Sequence, residues 1–548
     1  MVTEQQLQSM NETALRSLAR QLMSTVGEQT QVIENTQQVL ESKAKELAHK
    51  EALIAKLTFE MATLRRARYG RTAETLNREQ RTLFDEAIDE DLAALEVQLD
   101  TAAAPTDPNA AKSNRQRRQP KRAQIPADLP RTDVLHEPEN TVCQCGCQLK
   151  RVGEDVSEKL DYTPGIFTVE RHVRGKWACA CCETIIQAPV PAHVIDKGLP
   201  TTGLLSQVLV AKYADHLPLY RLEGIFGRSG VPIARSTMAD WVGACGEQLR
   251  PLVERLREIV LTKEILHADE TPVTTLKPGL KGTHRAYLWA YSPSKYDDLK
   301  AVIYDFAKGR SGQHASDFLG NWKGSLLVDD FSGYKALFRQ GITELGCMAH
   351  ARRKFFDLHQ ANQSEVAAQA LVIIGRLYDI EREAGDMSPD DRWRIRQQKA
   401  KPIMASYKEW LILQRERAST GTAIAKALDY SLKRWAALER YLDDGRIPID
   451  NNYLEDKIRP IAQGRKSWLF AGSLRAGDRA AAVMTLVQSA KLNGHDPQAY
   501  LKDVLDRLPT QPNSRIDELL PHNWKPQAVD TDTDSADAER DASERTAA

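Results

Sequence analysis

The densest polar chemistry in the chain lies in Ile449–Ser473, IDNNYLEDKIRPIAQGRKSWLFAGS, where Asp450, two asparagines, Glu455 and a GRKSW run share twenty-five residues. Two further acids, Asp269 in HADET and Asp329 in LLVDD, each close a short apolar run upstream. Carboxylates brought to one point offer hard oxygen ligands, the donor set of Mg²⁺ or Mn²⁺. A pair of such ions suits in-line phosphodiester chemistry, one activating the nucleophile and the other stabilising the leaving oxygen. Locally, Glu455 has a second reading. If Asn452 caps a helix, Glu455 falls at the third helical position as a capping-box acid. Glu270 and Asp330 compete with their neighbours Asp269 and Asp329; alternation along a strand turns each pair to opposite faces without saying which face matters.

A second constellation is built from cysteine. Six of the eight cysteines fall in CQCGC (Cys143–Cys147) and CACC (Cys179–Cys182). Cys179 and Cys182 have knuckle spacing, and four of Cys143, Cys145, Cys147, Cys179 and Cys182 would hold a structural Zn²⁺, with Cys181 left out. Residues 150–178 between the halves read as the short strands of a zinc ribbon. A cluster of free thiols is the plainer alternative.

The elements that must position the acids follow from the pattern. EILHADET, AYLWAYS and AVIYDF read as three strands, followed by a helix (SDFLGNW), a strand (SLLVDD), a helix (GYKALF), a strand (TELGCMAH) and a helix (ARRKFFDL). That order is ribonuclease-H-like, and it sets the first and fourth strands side by side with Asp269 and Asp329 at their ends. An all-helical insertion at about 359–442 separates them from Glu455; its Trp393, Trp410 and Trp435 read as core. The core as a whole spans 263–475.

The flanks divide further. Residues 1–98 read as helix, with Val26, Ile33, Leu40, Leu47, Ile54 and Met61 recurring every seven residues as in a coiled coil. Residues 99–140 are a proline-containing basic linker, 141–198 the zinc-binding region, and 199–262 helical with helix-turn-helix grammar that starts a recognition helix at Arg235. Helices fill 476–526, and the acidic tail 527–548 lacks aromatics. The fold class is therefore multidomain α+β. The chain has zero net charge at 548 residues, so any nucleic-acid contact must come from local patches. No apolar run reaches the ~20 residues of a membrane span, and the reading is of a cytoplasmic protein.

The order of motifs resembles transposases of the insertion-sequence-66 type. The carrying segments are LRRARYGRTAE, CGCQLKRVGEDVSEKLDYTPGIFTVERHVRGKWACACCE, DHLPLYR, HADET, VDDFSGYKALF, GCMAHARRKFF, IDNNYLEDKIRP, GRKSWLFAGS and KLNGHDPQAYL. The resemblance implies a DDE transposase whose acids match Asp269, Asp329 and Glu455, an N-terminal leucine zipper, a zinc-binding domain and small accessory proteins as partners. Two departures stand out. CQCGC replaces the usual CxxC pair, and Asp456 follows Glu455 where the family usually has arginine.

The expected activity is metal-dependent cleavage at the ends of a mobile element and strand transfer into target DNA. Arg459, Arg465 and Lys466 are candidate phosphate contacts, with Arg352, Arg353 and Lys354 as weaker ones, and Arg235 in the region before the core. Homo-oligomerisation would fall to the coiled coil. The competing readings are a non-catalytic DNA-binding regulator on the same scaffold and a nuclease of related fold.

Overall fold

Helical and alternating patterns both recur along this chain, and the computed structural model contains 17 α-helices and two mixed β-sheets among the described residues. It describes residues 12–69, 78–103 and 125–526, apart from 126, 128, 139–140, 143–146, 164, 196–197, 277–282 and 469–470. The basic run 112–122, the acidic tail, Cys143 and Cys145 lie outside the described residues. No described helix is long and apolar enough to cross a membrane. The chain forms two compact units, residues 1–66 with 95–117, and residues 67–94 with 118–548.

In the first unit, α1 (Glu12–Tyr69) runs 58 residues, a length that only a proline-free sequence sustains. Late members of its apolar stripe, Leu57, Met61 and Leu64, are buried, whereas Leu40 and Leu47 are exposed. α2 (Arg78–Ala103) belongs to this unit from Leu95 onward, and Glu96 pairs with Arg65 at 3.2 Å.

The second unit opens with a four-stranded sheet, β1 (Arg131–His136), β2 (Leu149–Thr163), β3 (Ile166–Cys179) and β4 (Ile185–Gln187), in which β3 pairs with the other three. The short ribbon strands expected here are replaced by a hairpin with arms of 15 and 14 residues. Alternation along β3 explains it, because Phe167, Val169 and Val173 all turn to the buried side. Gly165, at φ +88°, makes the turn between the arms. Four helices follow: α3 (Thr202–Tyr213), α4 (Leu219–Arg228), α5 (Arg235–Gln248) and α6 (Arg250–Val260).

The central sheet has β5 (Ile265–Leu276), β6 (Thr283–Pro293), β7 (Ile303–Ala307), β8 (Ser325–Val328) and β9 (Thr343–Gly346), in the order β7-β6-β5-β8-β9. β5, β6 and β7 are antiparallel neighbours, while β5, β8 and β9 run parallel. The helices α7 (Gly312–Leu319) and α8 (Lys335–Arg339) connect its strands. Period-two alternation divides the side chains between two cores. Leu266, Leu326 and Val328 join α3–α6 and the C-terminal helices α16 (Leu474–Leu492) and α17 (Pro497–Arg507) on one side. Ile265, Leu327 and Leu345 face the other side. There they meet α9 (Met348–Asn362), α10 (Glu365–Glu383), α11 (Pro389–Ile395), α12 (Lys401–Arg417), α13 (Ala423–Lys433) and α14 (Trp435–Glu439). Trp435 is core as expected, but Trp393 is 43% exposed.

Two buried arginines hold this helical insertion to the loop that leads back to the sheet. Arg396, 0% exposed, forks onto Glu381 at 2.8 and 2.6 Å and donates to the carbonyls of Tyr441, Asp444 and Ile447. Arg392 donates to the carbonyls of Ala384, Gly385, Met387 and Gly445. The next element, α15 (Asn452–Trp468), lies against β5 and β6.

A third buried cation ties α2 to α16. Arg479 donates to Glu90 at 2.9 Å and Asp91 at 3.1 Å, and Lys212 reaches Glu90 at 2.9 Å. Glycine permits the approach: a Cβ at Gly243 would meet the Glu90 carbonyl, and one at Gly246 the Arg479 side chain. Replacing Arg479 by Met removes the cation shared by two buried carboxylates, leaving Glu90 to Lys212 and Asp91 to the Ser473 hydroxyl, so denaturant titration should show a loss of about 3 kcal/mol, the low end for breaking a buried pair. Nearby, burial pushes the Glu86 carboxyl up to about 7, against the charge of Lys212. A raised carboxyl pKa favours the protonated folded state, so this stability is full below the unfolded value near 4.5 and is lost as pH rises through about 7. Glu86→Gln should remove up to about 3 kcal/mol of that decline, read as a flatter dependence of Tm on pH between 5 and 8.

Candidate active site

The site begins with strand register. In the parallel pair β5–β8, Ile265, Leu266 and His267 stand opposite Ser325, Leu326 and Leu327. Carried two residues further, that offset sets Asp269 beside Asp329, which follows directly after β8. Asp269 does not end its strand, as the pattern suggested. β5 continues to Leu276 in a hairpin with β6, and it is the pairing with β8 that stops. The sheet therefore opens at the two acids. Asp269 Oδ1 accepts from the Glu270 amide at 2.8 Å, and Asp329 Oδ1 from the Phe331 amide at 2.8 Å.

Glu455 arrives from α15. Its helix starts at Asn452, and the Asn451 carbonyl accepts from the amides of Leu454 and Glu455 at 3.0 and 3.1 Å. Asn451 rather than Asn452 is thus the cap residue. The Asn451 amide donates to Cys347 Sγ and that of Asn452 to Asp450 Oδ1, each at 3.2 Å, so neither candidate cap forms a capping box with Glu455. Its Oε1 is buried with no hydrogen-bond partner and lies 3.6 Å from His350 Nδ1, itself buried and unpartnered.

Burial pushes the Asp269 carboxyl well above its usual range, and the charges of Glu270, Asp329 and Glu455 add to that against the Glu270 amide hydrogen bond. A divalent cation would reverse this repulsion and satisfy the orphaned Glu455 oxygen, so the donor set fits the hard cation expected from the sequence. The three acids do not gather within 4.8 Å of one another. Among the described residues, the groups that tight are Cys347, His350 and Glu455 here, and Cys147, Cys179 and Cys181 in the first sheet. A looser carboxylate set suits two ions sharing ligands better than one ion enclosed by all three.

The competing acids are drawn elsewhere. Glu270 accepts from Arg310 at 2.8 and 2.6 Å and from the Tyr334 hydroxyl at 2.9 Å. Asp330 faces Arg434 at 3.8 Å and Lys335 at 4.0 Å. Of the basic candidates, Arg353 is exposed on α9 and Arg459 is exposed on α15, where it pairs with Asp456 at 3.1 Å. Arg352 lies over the Phe356 ring and Lys354 over that of Tyr430. Arg465 and Lys466 fall on α15, with side chains outside the described residues. Arg235 starts α5, its amide donating to Glu223 at 3.3 Å. His350, Arg310 and Asn451 had no sequence-based role. The i, i+3 spacing of Cys347 and His350 was the one visible sign, and it acquires meaning only beside Glu455.

In the first sheet, Cys147 and Cys179 come together with Cys181, whose sulfur is 2.7 Å from that of Cys147. Cys182, preferred from knuckle spacing, has its sulfur 3.2 Å from the Thr184 hydroxyl. Thiolates in such a group suit zinc.

Comparison with known proteins identifies the family. Residues 197–479 match the Transposase IS66 family, 485–522 the IS66 C-terminal element, 140–183 the zinc-finger binding domain of transposase IS66 and 56–134 the Transposase C of IS166 homeodomain. The chain is similar to two proteins of Sinorhizobium fredii (strain NBRC 101917 / NGR234). Uncharacterized protein y4jD is 36% identical over 496 residues, covering 87% of this chain and 96% of the relative. Uncharacterized protein y4qI is 38% identical over 498 residues, covering 87% and 90%. A match over half the chain, flanked in order by matches to the zinc-finger and C-terminal elements, has one consequence: the chain belongs to the IS66 transposase family.

Proposed function

We propose that the chain is a DNA transposase that binds the ends of its mobile element, hydrolyses phosphodiester bonds there and joins the freed 3′-hydroxyls to target DNA. The observation that carries this reading is that Asp269 on β5, Asp329 just after β8 and Glu455 in the first turn of α15 lie near enough for the charges of the latter two to act on the first, with a buried Glu455 oxygen left without a hydrogen-bond partner. The sheet order β7-β6-β5-β8-β9, three antiparallel strands followed by two parallel ones, supports a ribonuclease-H-like core. When bound, two Mg²⁺ or Mn²⁺ ions would activate the attacking water or hydroxyl and stabilise the leaving oxygen.

The protein's own part is to hold the three carboxylates at fixed spacing, two at the open end of the β5–β8 pair and one on the first turn of α15. Arg353, Arg459, Arg465 and Lys466 would contact phosphates around it, and α4–α5, with Arg235, would contribute to DNA recognition. The exposed Leu40 and Leu47 on α1 support self-association through the heptad stripe, and accessory proteins of the same element are candidate partners. A structural Zn²⁺ on Cys147, Cys179 and further cysteines from the 143–147 and 179–182 segments would brace the long hairpin.

Strand transfer with labelled element ends tests the active site. Glu455→Gln and Asp269→Asn should each lower product at least about 100-fold, since even residues that merely orient metal ligands cost 10–100-fold when removed. Equal product from wild type and Glu455→Gln would refute the assignment, and cleavage without joining would point to a nuclease instead. For the zinc group, elemental analysis should find about one Zn²⁺ per chain. Cys181→Ser should lower it more than Cys182→Ser if the observed cluster is the ligand set, and the reverse order would restore the knuckle reading.

A further inference from the structure

The proposed acids come from elements far apart in sequence, so something must hold α15 at a set distance from β5. One side chain bonds to both. Asn451 is 1% exposed. Its Oδ1 lies 2.7 Å from His267 Nδ1, and its Nδ2 donates to the Ala268 carbonyl at 3.1 Å. Its backbone amide donates to Cys347 Sγ at 3.2 Å, and its carbonyl accepts from Leu454 and Glu455. These bonds reach the two residues before Asp269, the residue before α9, and the first turn of the Glu455 helix.

We infer that Asn451 is a positioning residue that sets the spacing between Asp269 and Glu455, with His267 as its partner on β5. The inference rests on the carboxylate reading above and adds to it the part that makes the ligand geometry reproducible. Asn451 and Glu455 are four residues apart, one helical turn, so anchoring the first side chain to β5 fixes the direction in which the second leaves the helix. The amide is chemically required. Its nitrogen must donate to the Ala268 carbonyl, which leaves its oxygen to accept from His267, so the hydrogen of that imidazole sits on Nδ1. Aspartate at this position would set an acceptor against the Ala268 carbonyl, and alanine would release both bonds. A second clamp holds the residue from outside: the carboxylate of Asp450 accepts from the Tyr378 hydroxyl of α10 at 2.7 Å and from the Asn452 side chain at 2.9 Å.

The test compares Asn451→Ala, Asn451→Asp, His267→Leu and His267→Gln in the full-length protein. The readouts are Mn²⁺ binding, from free Mn²⁺ in electron paramagnetic resonance; binding of element-end DNA without divalent metal; and end cleavage. The two Asn451 variants and His267→Leu should bind Mn²⁺ about 10–100-fold more weakly, the cost typical of losing a residue that orients metal ligands. DNA binding should stay within about twofold, because the proposed recognition helices α4 and α5 with Arg235 make none of these bonds and α15 keeps its backbone caps from the Asn451 carbonyl, and it counts the folded fraction independently of metal. His267→Gln keeps a donor and should recover most of the Mn²⁺ affinity; a Gln variant as weak as Leu would overturn the role given to His267. Asp269→Asn and Glu455→Gln separate the two levels of the argument. If they bind Mn²⁺ and cleave like wild type, the carboxylate reading itself is lost. If they fail while Asn451→Ala matches wild type, only the positioning role is lost.

Discussion

Like-charge crowding at the open end of the β5–β8 pair is the constraint on which the rest of this structure depends. Asp269 sits where burial and three neighbouring carboxylates all oppose its ionisation. Such an arrangement is unfavourable for a folded chain by itself and is tolerable only if surrounding bonds hold it in place. Those bonds are present. Backbone amides occupy one oxygen of Asp269 and one of Asp329, and Arg310 with Tyr334 takes up Glu270. What remains without a hydrogen-bond partner is the Glu455 Oε1, which lies 3.6 Å from His350 Nδ1.

The helical insertion is part of this support rather than an appendage. It packs on one face of the central sheet through Ile265, Leu327 and Leu345. Its buried Arg392 and Arg396 gather the carbonyls of residues 384–387 and 441–447, just before the chain turns into Asp450. Buried guanidinium groups with every nearby carbonyl enlisted make a stiff connection, because releasing one would leave a desolvated charge. Tyr378 extends the same grip to Asp450. The loop that delivers Glu455 is therefore fixed from the insertion and from β5 together.

The other side of the sheet has a comparable device. Arg479 and Lys212 join Glu90 and Asp91 of α2 to the helices behind β7, through a contact that only Gly243 and Gly246 leave room for. The segment after the long helix is thereby built into the core of the second unit instead of trailing from it. The first sheet shows the opposite balance. Its hairpin arms are long and partly exposed, and a small thiol cluster stands at the end where Leu149 pairs with Cys179. That end, whose local core is little more than Leu149 and Cys179, is the kind of module that metal coordination stabilises.

Much of this was legible in the chain. Strand order alone put the first and fourth strands together, because a crossover helix between parallel strands returns the chain to the same sheet. Strand ends made Asp269 and Asp329 candidates, the resemblance to the family matched its acids to Asp269, Asp329 and Glu455, and heptad periodicity marked the long helix. Alternation could not decide between Asp269 and Glu270 or between Asp329 and Asp330. In the folded chain Glu270 is engaged by Arg310 and Tyr334 and Asp330 faces Arg434, all of which approach from other elements. Knuckle spacing favoured Cys182, but the turn after β3 brings Cys181 toward Cys147. The bracket of Asn451, His267 and Cys347 joins residues up to 184 positions apart. Local pattern carries period and propensity, which determine element type and strand order. Side-chain partners across elements are decided only when the elements pack, since they depend on distances that no spacing along the chain encodes.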